Sequence, residues 1–357
     1  MEFSKELLSR FPALLLQWNR NKNTREMPWK GEKDPYKIWL SEIILQQTRV
    51  EQGLKYYEKF VSAFPTIHKL ANAKDEKVYK LWEGLGYYSR CKNLLETARF
   101  VSKKLNGKFP DKFEDILALK GVGNYTASAI ASFAYDFPHA VVDGNVFRVL
   151  SRVFGIKKPI DSTEGKKLFT QLANKLLDKK HPGIYNQALM DFGAVICKPH
   201  PVCDLCPLRM HCFAFKNDLI DKLPVKEKKL KIKTRWFNYL VIESNNKFYI
   251  RKRNDNDIWS NLHEFVMIET ENETSVKNIL AKAEKKIIEK NSYELESDSP
   301  IYTQQLSHQK IMASFIKIRV KKNIDIPGYK PVSKNQMLRL AFPRIINTYF
   351  EKDFRAD

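Results

Sequence analysis

Apolar residues recur at three- and four-residue spacing through "FSKELLSRFPALLLQWNRN", "YKIWLSEIILQQTRVEQGLKYYEKFVSAF", "DEKVYKLWEG", "CKNLLETARFVSKKLNG", "FEDILALKG", "YTASAIASFAY", "GNVFRVLSRVFG", "STEGKKLFTQLANKLLD" and "PGIYNQALMDFGAVIC", with Gly or Pro between most of them. This period predicts an all-α region over residues 1–223. Beyond it the pattern shortens to β-rich runs, "WFNYLVIES" and "KFYIRKR" about a two-residue "NN" turn, then "HEFVMIET" and "MASFIKIRV". Two helical stretches, "TSVKNILAKAEKKIIEK" and "SKNQMLRLAFPRIINTYF", accompany them, so a separate α+β domain is expected over 235–357. Between the two, "PVKEKKLKIKTR" carries Lys226, Lys228, Lys229, Lys231, Lys233 and Arg235 against one acid, Glu227. It reads as a basic linker, over 224–234, lying near phosphates. There is no internal repeat or low-complexity tract.

Composition adds a partner. Of 357 residues, 62 are Lys or Arg and 41 Asp or Glu, a formal net charge of +21 that favours a polyanion, with nucleic acid the first candidate and a lysine-biased proteome the bland alternative. No apolar run approaches the roughly 18 residues of a membrane span, and "MEFSKELLSRF" has acids but no apolar signal core. The expectation is a soluble protein that is not secreted. Four of the five cysteines fall between 197 and 212, which suits a local metal site in a reducing compartment, and Cys91 reads as a core thiol.

Candidate chemistry begins at Glu42, an acid among Trp39, Leu40, Ile43, Ile44 and Leu45. On one continuous helix it aligns with Gln46 and Arg49, which allows a surface ion pair with Arg49. The other reading is a desolvated acid, its pKa raised by burial so that it can donate a proton. Further on, Gly121, Val122 and Gly123 form a hairpin between two helical patterns, the second lined by Ala127, Ala129, Ala131 and Ala134. That arrangement fits a helix-hairpin-helix anchor for a DNA backbone, with free helix N–H groups facing phosphate. Asp143, just before Gly144 and Asn145, reads as a helix cap, a role compatible with facing a developing cation. An acid and an anion together suit loss of a base from a sugar, as in glycoside hydrolysis.

Cys197, Cys203, Cys206 and Cys212 form a C-x5-C-x2-C-x5-C cluster. Spacing alone leaves zinc and an iron-sulfur cluster both open. Lys198, His200, Arg209 and His211 make the intervening loop basic, and so a candidate DNA contact.

With "REMPWK", "SEIILQQTRV", "WEGLGYYSR", "GVGNYTASAIASFAY", "VVDGNVFRVLSR", "NQALMDFGAVIC" and the cysteines in hand, the chain resembles the MutY-type adenine DNA glycosylases of the helix-hairpin-helix superfamily over nearly its whole length. The resemblance implies a mainly α glycosylase, built of a six-helix helix-hairpin-helix module and an N-terminal and iron-sulfur cluster module, followed by an α+β Nudix-like lesion-recognition domain. It implies a monofunctional enzyme of base excision repair, acting as a monomer on double-stranded DNA and excising adenine opposite 8-oxoguanine or guanine. Glu42 would protonate adenine at N7, Asp143 would stabilise the sugar cation or a covalent sugar intermediate, and Tyr125 and Asn145 would support them. Arg25, Trp29, Leu45 and Gln187 would line the pocket for the flipped adenine, while Gln47, Thr48, Leu85 and Tyr87 would stand at the opposite lesion. The cysteines would hold one [4Fe-4S] cluster, with zinc the alternative; the first gap is five residues where the family usually has six.

Two other functions compete. Endonuclease III type enzymes, which remove oxidised pyrimidines, share the hairpin and cluster but use a lysine where this chain has Tyr125, and a phenol cannot form the imine that leads to strand cleavage. A non-catalytic, metal-stabilised DNA-binding protein would need the charge, hairpin and cluster but not Glu42 with Asp143. In the C-terminal domain no Nudix box of glutamates occurs around "RNDNDIWSNLHEFVMIE". "QLSHQK" places Ser307 and His308 where the resembled family reads 8-oxoguanine, with Leu306 in place of an aromatic ring.

Overall fold

The two periodicities resolve into two compact units in a computed structural model, which describes residues 3–227, 232–254 and 256–354. One unit is Met1–Asn72 with Asn93–Lys228; the other is Ala73–Lys92 with Lys229–Asp357. Residues 73–92, helical in pattern, thus cluster with the C-terminal unit.

The helices, in chain order, are α1 (Lys5–Lys22), α2 (Pro35–Leu45), α3 (Val50–Ala63), α4 (Ile67–Ala71), α5 (Asp75–Trp82), α6 (Ser89–Lys104), α7 (Phe113–Leu117), α8 (Asn124–Tyr135), α9 (Gly144–Phe154), α10 (Thr163–Leu176), α11 (Pro182–Val195) and α12 (Phe213–Lys216). Helix α2 starts cleanly because Asp34 accepts from the Tyr36 N–H at 2.9 Å and Pro35 occupies the first turn. One continuous helix was expected from Tyr36 to Phe64. Instead the chain turns at Gln46–Arg49, with Gln47 at φ 55°, and α3 folds back on α2 to bury Tyr57 and Phe60. No Gly or Pro marks the turn, so the apolar period ran through it.

Small residues bring the site-bearing helices together. Ala127, Ala129 and Ala131 of α8 are wholly buried, and α8 packs on α2. Ahead of it, Gly121 turns the α7–α8 hairpin at φ 78°, and a Cβ there would fall 2.8 Å from the Asn93 Cβ, so only glycine fits. One core of this unit joins Phe11, Leu15 and Trp18 of α1 to Val146, Val149 and Leu150 of α9, Phe169 of α10 and Phe192 of α11.

The second unit adds β1 (Lys233–Ser244), β2 (Lys247–Lys252), β3 (His263–Thr270), α13 (Val276–Glu284), β4 (Tyr293–Asp298), β5 (Tyr302–Gln305), β6 (Gln309–Val320), β7 (Lys330–Ser333), α14 (Lys334–Met337) and α15 (Arg344–Lys352). The described strands form one mixed sheet, order β4-β6-β1-β3-β2-β7, with β5 also on β6 and with β1 and β6 parallel. Asn245 and Asn246, at φ 48° and 58°, make the two-residue turn read from the sequence. Strand alternation sends Leu240 and Ile242 to α13, while Phe265 and Phe315 meet Tyr349 and Phe350 of α15. The terminal helical stretch is split in two before Pro343, and the short β4, β5 and β7 had no apolar signature to reveal them.

The basic linker is corrected at its end. Lys233 and Arg235 belong to β1, and Arg235 is held by Asp257 (2.7 Å) and Glu269 (2.7 Å), so its charge is spent inside the unit. Lys228, Lys229 and Lys231 lie outside the described residues. Among the described residues no helix is long and apolar enough to cross a membrane.

Candidate active site

Glu42 sits on α2 at 5 % exposure. Burial pushes its pKa up to about 7; the Tyr125 hydroxyl, hydrogen-bonded to it, pulls it down, and the nearby charge of Asp143 pushes it up. The ion pair with Arg49 is excluded, because the helix ends at Leu45 and Arg49 instead precedes α3 as its N-cap residue. Tyr125 comes from the first turn of α8, just past the hairpin.

Asp143 is the N-cap of α9, accepting from the Val146 N–H at 2.7 Å and from the Asn145 amide at 2.8 Å. Burial raises its pKa too, but those donors and the Arg148 guanidinium oppose the rise. The two acids therefore differ in what holds their charge: the Tyr125 hydroxyl lowers the pKa of Glu42, whereas Asp143 has helix donors and a cation. Gly193 on α11 lets this corner close up, since a Cβ there would lie 2.6 Å from the Asn145 Cβ.

Two of the residues expected at the base pocket, Arg25 and Gln187, share a partner that the sequence reading missed. Asp191, fully buried on α11, accepts from Arg25 (2.8 Å), Gln187 (2.9 Å), Asn23 (3.0 Å) and Lys30 (3.1 Å). Its spacing, one helical turn after Gln187, was visible in "QALMD". Trp29 stands edge-on to Tyr57, ring centroids 5.4 Å apart, and Leu45 lies against Gly53. Gln47, exposed, and Thr48, half-buried, occupy the turn after α2.

Of the residues expected at the lesion, Leu85 and Tyr87 belong to the second unit with Ser307 and His308. Tyr87, 45 % exposed at φ 49°, shares a 2.5 Å hydrogen bond with the Ser307 hydroxyl. Its ring is backed by the Arg90 guanidinium, which also lies over Trp82. Leu306, Ser307 and His308 form the tip of the β5–β6 hairpin; His308 is exposed, and its carbonyl accepts from Lys233. Leu85 is buried.

Cys197, Cys203, Cys206 and Cys212 line one small pocket, with Arg152 and Phe192 also in its wall. Arg152, buried on α9, donates to the carbonyls of Lys198 (2.8 Å) and Pro199 (2.9 Å) and points an N–H at the Cys197 sulfur. Arg148 donates to the Cys197 carbonyl at 2.7 Å and to the Asn145 side chain at 2.8 Å. These arginines were also missed, although their four-residue spacing in "FRVLSR" puts both on one helix face. Four thiols about a void, with a guanidinium directed at one of them, fit a thiolate-ligated group.

Comparison with known proteins agrees with this layout. Residues 40–176 match the HhH-GPD superfamily of base excision DNA repair proteins, and residues 238–352 match the NUDIX domain. An adenine DNA glycosylase of Buchnera aphidicola (subsp. Schizaphis graminum) is 38 % identical over 267 residues, 74 % of this chain and 76 % of that one. The chain belongs to the adenine DNA glycosylase family. The family's enzymes act in base excision repair, and the human adenine DNA glycosylase is 42 % identical over 214 residues, 57 % of this chain and 39 % of its own. Among solved structures, a thermostable thymine-DNA glycosylase superposes with TM-score 0.55 at 29 % identity, covering 59 % of this chain and 98 % of that one.

Proposed function

We propose that the protein excises adenine paired with 8-oxoguanine, or with guanine, from duplex DNA by a monofunctional glycosylase reaction. The observation that carries this reading is the pairing of a buried Glu42, its pKa raised to about 7, with an Asp143 held by helix donors. Inside a stacked duplex the glycosidic bond is out of reach, so the adenine is flipped out before reaction. Arg25, Trp29, Leu45 and Gln187 receive it. Glu42, protonated about half the time near neutral pH, gives its proton to N7 and makes the base a neutral leaving group. Asp143 faces the cationic sugar, with its charge held by Val146, Asn145 and Arg148. Tyr125 holds Glu42 and, carrying no amine, cannot form an imine; water adds to C1′ of the sugar cation and loses a proton to solvent, which leaves the strand intact.

The hairpin at Gly121–Gly123 and the N-terminus of α8 grip the DNA backbone. Tyr87 with Ser307, and His308 beside it, read the lesion. The four cysteines hold one [4Fe-4S] cluster. That cluster, when bound, ties the loop 197–212 into one rigid body. The setting is the bacterial cytoplasm, on nucleoid DNA, with the enzyme acting as a monomer.

The test is incubation with a duplex carrying adenine opposite 8-oxoguanine, followed by analysis with and without alkali. Adenine release with strand cleavage only after alkali is expected. Cleavage without alkali would favour an endonuclease III type lyase, and tight binding without release a non-catalytic DNA-binding protein.

A further inference from the structure

Asp191 has no solvent exposure, and its two oxygens accept four hydrogen bonds: Arg25 and Gln187 on Oδ1, Asn23 and Lys30 on Oδ2. A carboxylate offers about four acceptor sites and no donor, so this one is filled. Each partner is thereby fixed in one sense. For Arg25 and Lys30, which only donate, that changes little. For Gln187 it decides chemistry, because an amide has a donor end and an acceptor end. Facing a carboxylate held by two cations, Gln187 must turn its NH2 inward, and its carbonyl oxygen is the end left over. That oxygen has no hydrogen-bond partner among the described residues, and the side chain is half-buried.

We propose that Asp191 is a positioning residue that locks the Gln187 amide with its oxygen towards the flipped base, so that the pocket selects a 6-aminopurine over a 6-oxopurine. The proposal rests on the reading that Gln187 lines the adenine pocket. Adenine carries an N–H donor at C6 and suits an acceptor; hypoxanthine and guanine carry an oxygen there and meet it lone pair to lone pair. A site committed to one hydrogen-bond sense rejects the opposite partner strongly, since both groups are left unpaired. A free amide would flip and take either.

The measurement is single-turnover excision by the full-length protein on duplexes with adenine or hypoxanthine opposite 8-oxoguanine. Wild type should prefer adenine. Asp191→Ala removes the acceptor altogether, so the amide is released and the adenine-to-hypoxanthine rate ratio should fall by about tenfold or more. Lys30→Met removes a cation from the same carboxylate but leaves the Gln187 bond, and should keep the ratio whatever it does to the melting temperature. If Asp191→Ala fails to fold, the double variant Asp191→Ala/Lys30→Met, which removes one charge of each sign, takes its place with the same expected fall. An unchanged ratio in the folded Ala variant, single or double, or an equal fall in Lys30→Met alone, overturns the lock. Absence of adenine release by wild type would instead overturn the underlying reading, which keeps the two failures distinct.

Discussion

The hydroxyls of Tyr87 and Ser307, 220 positions apart in the chain, meet at 2.5 Å within one compact unit. A ring held at positive φ and a hairpin tip thus form one element, and the bond between them costs Tyr87 its freedom to swing away. Tyr87→Phe and Ser307→Ala each delete this one hydrogen bond. Each should therefore narrow the preference for adenine opposite 8-oxoguanine over adenine opposite guanine, by about 0.5 to 1.5 kcal/mol in discrimination. The double variant should narrow it scarcely further, because both changes remove the same interaction. Single-turnover rates on both duplexes check this, and full additivity would show that the two hydroxyls act separately.

Glu42 links activity to pH in a definite sense. With a pKa of about 7, the proton-donating form is present below that value, so excision should fall about tenfold per pH unit well above it. Glu42→Gln should lose about 10²- to 10⁴-fold in rate at neutral pH while still binding duplex.

The same residue sets a stability prediction. In the unfolded chain Glu42 ionises near its ordinary 4.5, in the folded protein only near 7, so stability drains away as pH rises between those values and stays lost above them. Glu42→Gln carries no such penalty. It should match wild type near pH 4 and exceed it above pH 7 by about 3 kcal/mol at most, read as a rise in melting temperature. Equal stability at all pH values would place Glu42 in contact with water.

Asp143 has two jobs that substitution can separate. Asp143→Asn keeps a capping oxygen for the Val146 N–H and should hold its melting temperature while losing turnover. Asp143→Ala should lose turnover and about 1 kcal/mol of stability as well. Retained turnover in the Asn variant would reduce Asp143 to a cap.

Purified protein should be brown, with broad absorbance in the visible blue and about four irons per chain. Cys197→Ser should bleach it most, since Cys197 is the buried member of the set and the one that Arg152 faces. A colourless, fully active protein with one zinc would overturn the cluster.

Much of this was legible in the sequence where local rules suffice. The Asn245–Asn246 turn, the α7–α8 hairpin, the strand runs and the four-cysteine spacing all announce themselves within a dozen residues. What escaped depends on partners far along the chain. The turn after Leu45 bears no breaker residue and is imposed by α3 packing back on α2. Asp191 looks like any surface acid until Asn23, Arg25 and Lys30 arrive from more than 160 positions away. Arg235 reads as a free charge in a basic run, and only the sheet reveals Asp257 and Glu269 beside it. The division of acid from anion between Glu42 and Asp143 was read from the residues and its detail from resemblance; the fold adds the burial of Glu42 and the donors that hold Asp143.

The arginine lattice of the sheet carries a consequence of another kind. Arg235 and Arg253 both grip Asp257, Arg253 and Arg251 both grip the wholly buried Glu264, and Glu269 closes the far side on Arg235. No member can reverse sign alone without stranding a neighbour. Across diverging relatives these positions should drift in compensating pairs, leaving a covariation signature along this lattice even where individual identities have been lost.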